Sequence, residues 1–134
     1  MTAPARFKKQ ERIVSQKLIE ELFGGGKSHS QAAFPLRAVY MQRERQEGQE
    51  PVEVLVSVSK KRFHHAVDRN RVKRQIREAY RLQKQILTEK IEPGQTIDIA
   101  FIWLSDQHFP TAEVSSKVRQ LLERIAKRIE HHDE

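Results

Sequence analysis

Residues 69–81 read RNRVKRQIREAYR, and the rest of the chain is interpreted outward from this stretch. Apolar residues recur in it, and a little beyond it, at the spacing of one buried helix face. These apolar positions are Val72, Ile76, Ala79, Tyr80 and Leu87. Arg74, Arg77 and Arg81 follow Asn70 at i+4, i+7 and i+11, which forms a continuous ridge on the opposite side. The pattern predicts a helix over 69–87 that buries its apolar face and exposes its arginines.

The beginning of this helix is also basic. Arg69 and Arg71 are predicted in the first turn, where cations oppose the partial positive charge of a helix N-terminus, unless an anion is bound there. Lys73 and Lys84 flank the ridge. Asn70 has two interpretations that are compatible: an N-cap, or a contact to a base edge or ribose through its paired donor and acceptor groups.

The positive charge of the chain is concentrated in this region. Residues 60–84 contain ten of the 25 Lys and Arg but only two of the 18 acids, which gives this window a net charge of +8. The remaining residues carry 15 bases and 16 acids, although the whole chain is +7. Such concentration predicts a surface for a polyanion, and arginine favours phosphate because its planar group can donate two parallel hydrogen bonds.

Length and composition limit the other possibilities. The 134 residues predict a single domain over 1–134, with 1–11 and 130–134 flexible. The chain has no cysteine, which excludes disulfides and thiolate chemistry. The N-terminus has no apolar stretch typical of a secretory signal, and the longest apolar run, 99–104, is far shorter than the roughly 20 residues of a membrane span. We therefore expect a soluble, cytoplasmic protein that does not bind membranes.

Periodicity predicts the remaining elements. Alternating apolar residues predict strands over 34–41, 52–58 and 96–103, with a polar loop over 43–51. Helices are predicted over 15–23, capped by Ser15 and ended by three glycines, and over 111–129, capped by Thr111 after Pro110. The fold class is α/β (α+β): a two-layer sandwich in which helices pack on one small sheet.

The signature stretch resembles the protein subunit of bacterial ribonuclease P, whose pattern is R-N-R-x-K-R-x-x-R-E-x-[FY]-R. The segment VSVSKK at 56–61 is similar to the family's strand ending in V-S-K-K, and Ala66-Val67 to its A-V. A short helix ending at Phe23 before a glycine is similar too. The resemblance implies a mixed sheet of about four strands with three helices in the order αβββαβα. It also implies a left-handed crossover between parallel strands, and a very short extra strand near 61–63.

By resemblance, the signature helix binds the catalytic RNA, and a cleft between the sheet and the first helix holds the 5′ leader of precursor tRNA. The RNA-binding residues implied are Lys60, Lys61, Arg69, Asn70, Arg71, Lys73, Arg74, Arg77 and Arg81. Phe23 matches a cleft aromatic, whereas Ile19 stands where a second one is expected. Phe34 and Tyr40 are further cleft candidates, although a core position is favoured for Phe34. Phe63, in a connection one residue longer than usual, either adds aromatic surface or packs.

The residues offer little chemistry for cutting RNA. The histidines occur as adjacent pairs or alone, so neither a general base nor a metal site is indicated, and the acids between Gln42 and Glu53 resemble a solvated loop. The resemblance implies a noncatalytic subunit of the endoribonuclease, with no cofactor of its own. Hydrolysis would belong to the RNA subunit and its Mg²⁺. The partners implied are ribonuclease P RNA and precursor tRNA, with no protein partner required.

An alternative from another functional class is a general RNA- or ribosome-binding module with no role in tRNA processing. A DNA regulator and a free-standing metal nuclease are less consistent with the sequence. No helix-turn-helix partner precedes the basic helix, and no metal ligands cluster.

Overall fold

The computed structural model describes residues 12–13, 16–24 and 26–132. The predictions for residues 1–11, for the Ser15 cap and for residues 133–134 lie outside these ranges. The helices are α1 (Gln16–Gly24), α2 (Ala66–Gln83), α3 (Gln85–Thr88) and α4 (Thr111–His132). The strands are β1 (His29–Ala33), β2 (Leu36–Glu44), β3 (Val52–Ser57) and β4 (Gln95–Trp103). No helix within the described ranges is long and apolar enough to cross a membrane.

The four strands form one mixed sheet in the order β1-β2-β4-β3. β1 and β2 are an antiparallel hairpin, β2 pairs antiparallel with β4, and β3 pairs parallel with β4. The two parallel neighbours, β3 and β4, are joined by the crossover that contains α2 and α3. This confirms the predicted α/β class and the mixed four-stranded sheet, while the left-handed sense of the crossover stays a prediction.

The fourth strand is not where the resemblance implied it. Residues 60–62 form a turn, so the prediction of a short strand near 61–63 is wrong. The additional strand is β1, which pairs with β2 across a turn at Phe34-Pro35. β2 extends to Glu44, three residues beyond the predicted end. The predicted helix over 69–87 begins earlier, at Ala66, and is divided at Lys84 into α2 and the short α3.

One face of the sheet carries the larger core, against α2, α3 and α4. The predicted apolar stripes are confirmed, because every one of their residues is buried in this cluster. They are Val72, Ile76, Ala79, Tyr80 and Leu87 of α2–α3, and Val114, Val118, Leu121, Leu122, Ile125 and Ile129 of α4. The strands contribute the predicted alternate residues, such as Val54 in β3 and Ile99 in β4. The apolar side of α2 is thereby fixed on the sheet, and its basic side faces outward.

The opposite face of the sheet is covered by α1. Leu22 is fully buried there, and its cluster includes Val39 of β2 and Ala100 of β4. Ile13 belongs to the same cluster, and its backbone N–H donates to the carbonyl of Val54 at 3.0 Å. Residues 12 and 13 therefore lie beside β3, an edge strand of the sheet.

A buried polar network stabilises one end of this second face. The Arg43 Nε donates to Asp98 Oδ2 at 2.5 Å, and its Nη2 donates to Glu53 Oε2 at 2.8 Å. Burial raises the pKa of Glu53 more than the Arg43 charge lowers it. Burial would lower the pKa of Arg43, but the hydrogen bonds and charges of Asp98 and Glu53 together outweigh this effect and raise it. The prediction of a solvated acidic loop is therefore wrong for Glu53, which belongs to β3.

Candidate nucleic-acid interface

The outward side of α2 presents the predicted arginine ridge. Because Val72, Ile76 and Tyr80 are buried on the sheet, residues on the other side of the helix turn away from the core. Arg74 is exposed, whereas Arg77 and Arg81 are partly buried. Three guanidinium groups separated by about one turn each therefore lie on one surface rather than being scattered over the molecule.

A fourth arginine joins this ridge from a distant part of the sequence. Arg12 pairs with Val54 in an isolated β-bridge, which carries its side chain towards α2. Together with Arg74, Arg77, Arg81 and Glu78 it lines a cavity of about 350 Å³, referred to below as the arginine pocket. Sequence reasoning missed Arg12, because its position depends on the pairing of the N-terminal segment with β3.

The electrostatics of the arginine pocket favour an anionic ligand. Burial, followed by the nearby charge of Arg12, lowers the pKa of Arg77 below its usual value. Within the part of the chain that the structure describes, Arg74 and Arg77 have no ion pair. Arg81 pairs with Glu78 on its own helix, and that hydrogen bond lowers the pKa of Glu78. Among the described lining residues, one acid thus lies beside four guanidinium groups, and a phosphate would relieve the repulsion between Arg12 and Arg77.

The beginning of α2 differs from the sequence prediction. The helix starts at Ala66 after His65, so Asn70 lies inside it on an exposed position, and the N-cap interpretation of Asn70 is wrong. Asp68 lies in the first turn, and Arg71 lies beyond it, so the predicted placement of Arg71 in the first turn is wrong. The Arg69 Nη1 donates to the carbonyls of Phe63 and His64, both at 2.9 Å. Arg69 thus holds the preceding loop in place.

The remaining predicted RNA contacts of this region lie in the turn before α2 and along the helix itself. Lys60 and Lys61 are exposed in the turn, Arg71 is exposed on α2, and Lys73 is partly buried. Phe63 is buried and its ring stacks on that of His108, with the ring centroids 4.5 Å apart. Of its two predicted roles, Phe63 therefore has the packing one, and it anchors the turn that carries the lysine pair.

The predicted cleft residues separate onto different surfaces. Phe23 is 50% exposed at the end of α1, and Ile19 is half-buried beside it. Tyr40 is only 3% exposed and belongs to the core on the opposite face of the sheet. Phe34 is 60% exposed near the turn between β1 and β2, so the favoured core position for Phe34 is wrong. Its ring contacts that of Phe109 edge-on, at 6.0 Å between centroids.

A groove beside α1 contains Phe23 together with residues of the first two strands. The groove has a volume of about 360 Å³. Its lining residues are Leu22, Phe23, Ser28, His29, Ser30, Arg37, Val39 and Ile102. Arg37 is exposed, and its Nε donates to Ser30 Oγ at 2.7 Å, which holds the guanidinium along the groove. The place of Arg37 beside Phe23 follows from the pleat of β2.

Comparison with known proteins agrees with this geometry. Residues 7–126 match the family model described as Ribonuclease P. The chain belongs to the ribonuclease P protein family. It is 41% identical over 129 residues to the ribonuclease P protein component of Porphyromonas gingivalis, covering 94% of this chain and 92% of that protein. It is 34% identical over 125 residues to the same component of Chlorobium phaeobacteroides, with 88% and 84% covered.

Solved structures of ribonuclease P proteins share the fold. The Staphylococcus aureus protein superposes with a TM-score of 0.65 at 24% identity, covering 87% of this chain and 95% of that one. The Thermotoga maritima protein gives a TM-score of 0.65 at 22% identity, covering 85% and 96%. Within the described residues of this ribonuclease P protein, no three His, Asp or Glu side chains group as metal ligands would.

Proposed function

We propose that this protein is the noncatalytic subunit of ribonuclease P, which binds the catalytic RNA and the 5′ leader of precursor tRNA during endonucleolytic removal of the leader. The observation that carries the proposal is the arginine pocket: Arg12, Arg74, Arg77 and Arg81 converge on the outward side of the signature helix. Membership of the ribonuclease P family supports the identity of the RNA that this surface would meet.

The arginine pocket and its surroundings would bind the RNA subunit through the phosphate backbone. Each guanidinium that neutralises a phosphate releases counterions, and this favours association at moderate salt. The exposed Lys60, Lys61 and Arg71 extend the positive surface along and before α2. Asn70 lies on the same exposed side and has the donor and acceptor groups for one ribose or base contact.

The groove beside α1 would hold the single-stranded leader. The half-exposed ring of Phe23 offers a face on which a base can stack, and stacking tolerates any base. Arg37 on the neighbouring strand can stack through its planar group or contact a phosphate. Ile19 adds apolar surface without an aromatic face, so we expect fewer stacked bases here than two aromatic residues would allow.

Under this proposal the bond is broken by the RNA subunit with its Mg²⁺ ions, and the protein binds no cofactor. Its contribution is to hold two polyanions together, since its cations offset the repulsion between the RNA subunit and the substrate. The protein would act in the cytoplasm and would need no protein partner.

The experiment is reconstitution of cleavage at low Mg²⁺. The full-length protein is added to its cognate catalytic RNA and a precursor tRNA, and 5′ cleavage is measured with and without the protein. We expect strong stimulation, which the double variant Arg74→Ala/Arg77→Ala loses and the control Arg119→Ala/Lys127→Ala retains, because both bases of the control lie on α4. Absence of stimulation by the wild-type protein would favour a general RNA-binding module instead.

A further inference from the structure

A cavity of about 170 Å³ lies at the edge of the sheet, between the beginning of β1 and the C-terminal half of α4. Its apolar lining is Ile97 and Ile129. Its polar lining consists of residues that can all donate a hydrogen bond: Lys27, His29, Tyr40, Gln42 and Arg128. None of the described lining residues is an acid, so the chemistry of this lining favours an oxyanion over a cation or an apolar ligand.

The hydroxyl of Tyr40 provides a second, independent observation. Tyr40 is 3% exposed, and within the described part of the chain its buried hydroxyl has no hydrogen bond of ordinary geometry, only a poorly aligned one with the Gln31 side chain. Burial raises the pKa of this phenol, with Gln31 and Arg128 opposing the rise, so the group remains a neutral donor. A buried hydroxyl that lacks a well-aligned partner is costly to the fold, and a ligand oxygen in the cavity would remove that cost.

The position of Arg128 is fixed beside the same cavity. Its Nη2 donates to the Nδ1 of His29 at 3.1 Å, which requires the neutral ring of His29 to carry its proton on Nε2. This contact holds the guanidinium at the start of β1, and no ion pair of Arg128 lies within the described residues. Arg128 and the exposed Lys27 therefore bring two positive charges to a site whose described lining contains no acid.

We propose that this cavity binds a phosphate group, held by Arg128, Lys27 and the Tyr40 hydroxyl. The volume is several times the roughly 30 Å³ that one water molecule occupies in the liquid, which leaves room for a tetrahedral anion. His29 also lines the groove beside Phe23, so the two openings adjoin at the edge of the sheet. The phosphate group could come from the leader: a strand that leaves the groove, under the function proposed above, can place one of its phosphodiester groups in this cavity. It could also come from free phosphate.

The test of the phosphate site is a titration of the isolated full-length protein with inorganic phosphate. A titration with chloride at the same ionic strength serves as the reference. A site-resolved signal is needed because the arginine pocket also attracts anions, so the backbone amide resonances of His29 and Gln42 are followed by NMR. We expect saturable shifts, with affinity about tenfold lower in Arg128→Gln, as for loss of a charge-assisted hydrogen bond. Tyr40→Phe should also bind more weakly and stay folded, because it removes only a hydroxyl that has no well-aligned hydrogen bond within the described residues.

The matched control is Lys127→Gln, which removes the same charge from the adjacent residue of α4, outside the cavity lining. It should titrate like the wild type. The proposal is overturned if the His29 and Gln42 amides show no saturable shift, or if Arg128→Gln and Lys127→Gln respond alike.

Substrates with leaders of different length distinguish the two phosphate sources in the reconstituted holoenzyme. A loss of affinity in Arg128→Gln for a long leader, with none for a one-nucleotide leader, identifies the phosphodiester. Equal affinities together with an intact phosphate titration identify free phosphate. Either result is separable from the proposed function, whose failure would appear as unstimulated cleavage by the wild-type protein.

Discussion

The salt dependence of RNA binding measures directly what the arginine ridge does. Arg74 and Arg77 both line the arginine pocket, and neither has an ion pair within the described residues, so their charges are available to a ligand. Replacing both with alanine removes two guanidinium groups and leaves the buried stripe of α2 intact. The double variant Arg74→Ala/Arg77→Ala should therefore fold normally and bind the catalytic RNA more weakly.

The magnitude follows from the number of charges removed. If each arginine neutralises one phosphate, the slope of log K against log salt becomes shallower by about 1.4–1.8, at 0.7–0.9 per contact. Between 50 and 200 mM salt, a fourfold range, this difference corresponds to a factor of roughly 7–12. The advantage of the wild type over the variant should shrink by that factor as salt rises across the range.

The assay is equilibrium binding of the catalytic RNA at four or more salt concentrations, with thermal unfolding to confirm that each protein is folded. Arg119→Ala/Lys127→Ala removes the same charge from α4 and controls for the net charge of the protein. The reasoning is refuted if the slope of the Arg74→Ala/Arg77→Ala variant equals that of the wild type, or if the control becomes equally shallow.

Phe23→Ala should weaken binding of a long-leader precursor tRNA by about 1–3 kcal/mol per lost base stack and leave binding of mature tRNA unaffected. If filter binding shows equal losses of affinity for both RNAs, the ring packs within the protein and stacks on no base. Asp98→Ala leaves Arg43 buried without this carboxylate, so the free energy of unfolding measured in urea should fall by about 3–5 kcal/mol. A fall of less than about 1 kcal/mol would show that the pair contributes no more than an exposed ion pair. Since burial raises the pKa of Glu53, the native state binds more protons than the unfolded state between the two pKa values. Glu53 therefore makes the free energy of unfolding fall as pH rises through that window, and Glu53→Gln should remove this part of the slope in urea unfolding at several pH values. Arg69→Ala should destabilise the fold by about 1–2 kcal/mol through its two carbonyl contacts, and a salt slope shallower by about 0.7 would instead identify a phosphate contact.

The elements that periodicity predicted well are those whose burial is decided by their own residues. The four valines at alternate positions from Val52 to Val58 are all buried, as are the six apolar residues of the α4 stripe. One strand was missed because its sequence carries no such signal: β1 reads HSQAA, with no β-branched residue and only Ala33 buried. β1 exists through its pairing with β2, a contact that its own composition cannot indicate.

The sequence predicted the part of the candidate site that lies on one helix, and it missed the part that forms where distant segments of the chain meet. The spacing of Arg74, Arg77 and Arg81 was sufficient to place them on one surface, whereas Arg12 joins them only through the pairing of its segment with β3. The N-cap interpretation of Asn70 was wrong because asparagine is a favourable capping residue, and its type alone does not show that a helix begins there. In the folded protein α2 starts at Ala66, three residues before the predicted start at Arg69, and no side chain caps it.

The distribution of the cleft candidates shows what alternation along a strand can and cannot decide. Alternation correctly separated Leu36, Ala38 and Tyr40 from Arg37 and Val39. It could not decide which helix covers each set, because both faces of β2 carry apolar residues and both are covered. α1 covers the face of β2 that carries Val39, and Arg37 lies on that face, so Arg37 reaches the groove beside Phe23. Tyr40 lies on the other face and lines the cavity beside α4. A charged group thus stands beside the stacking surface, so affinity for a leader should depend on salt as well as on stacking.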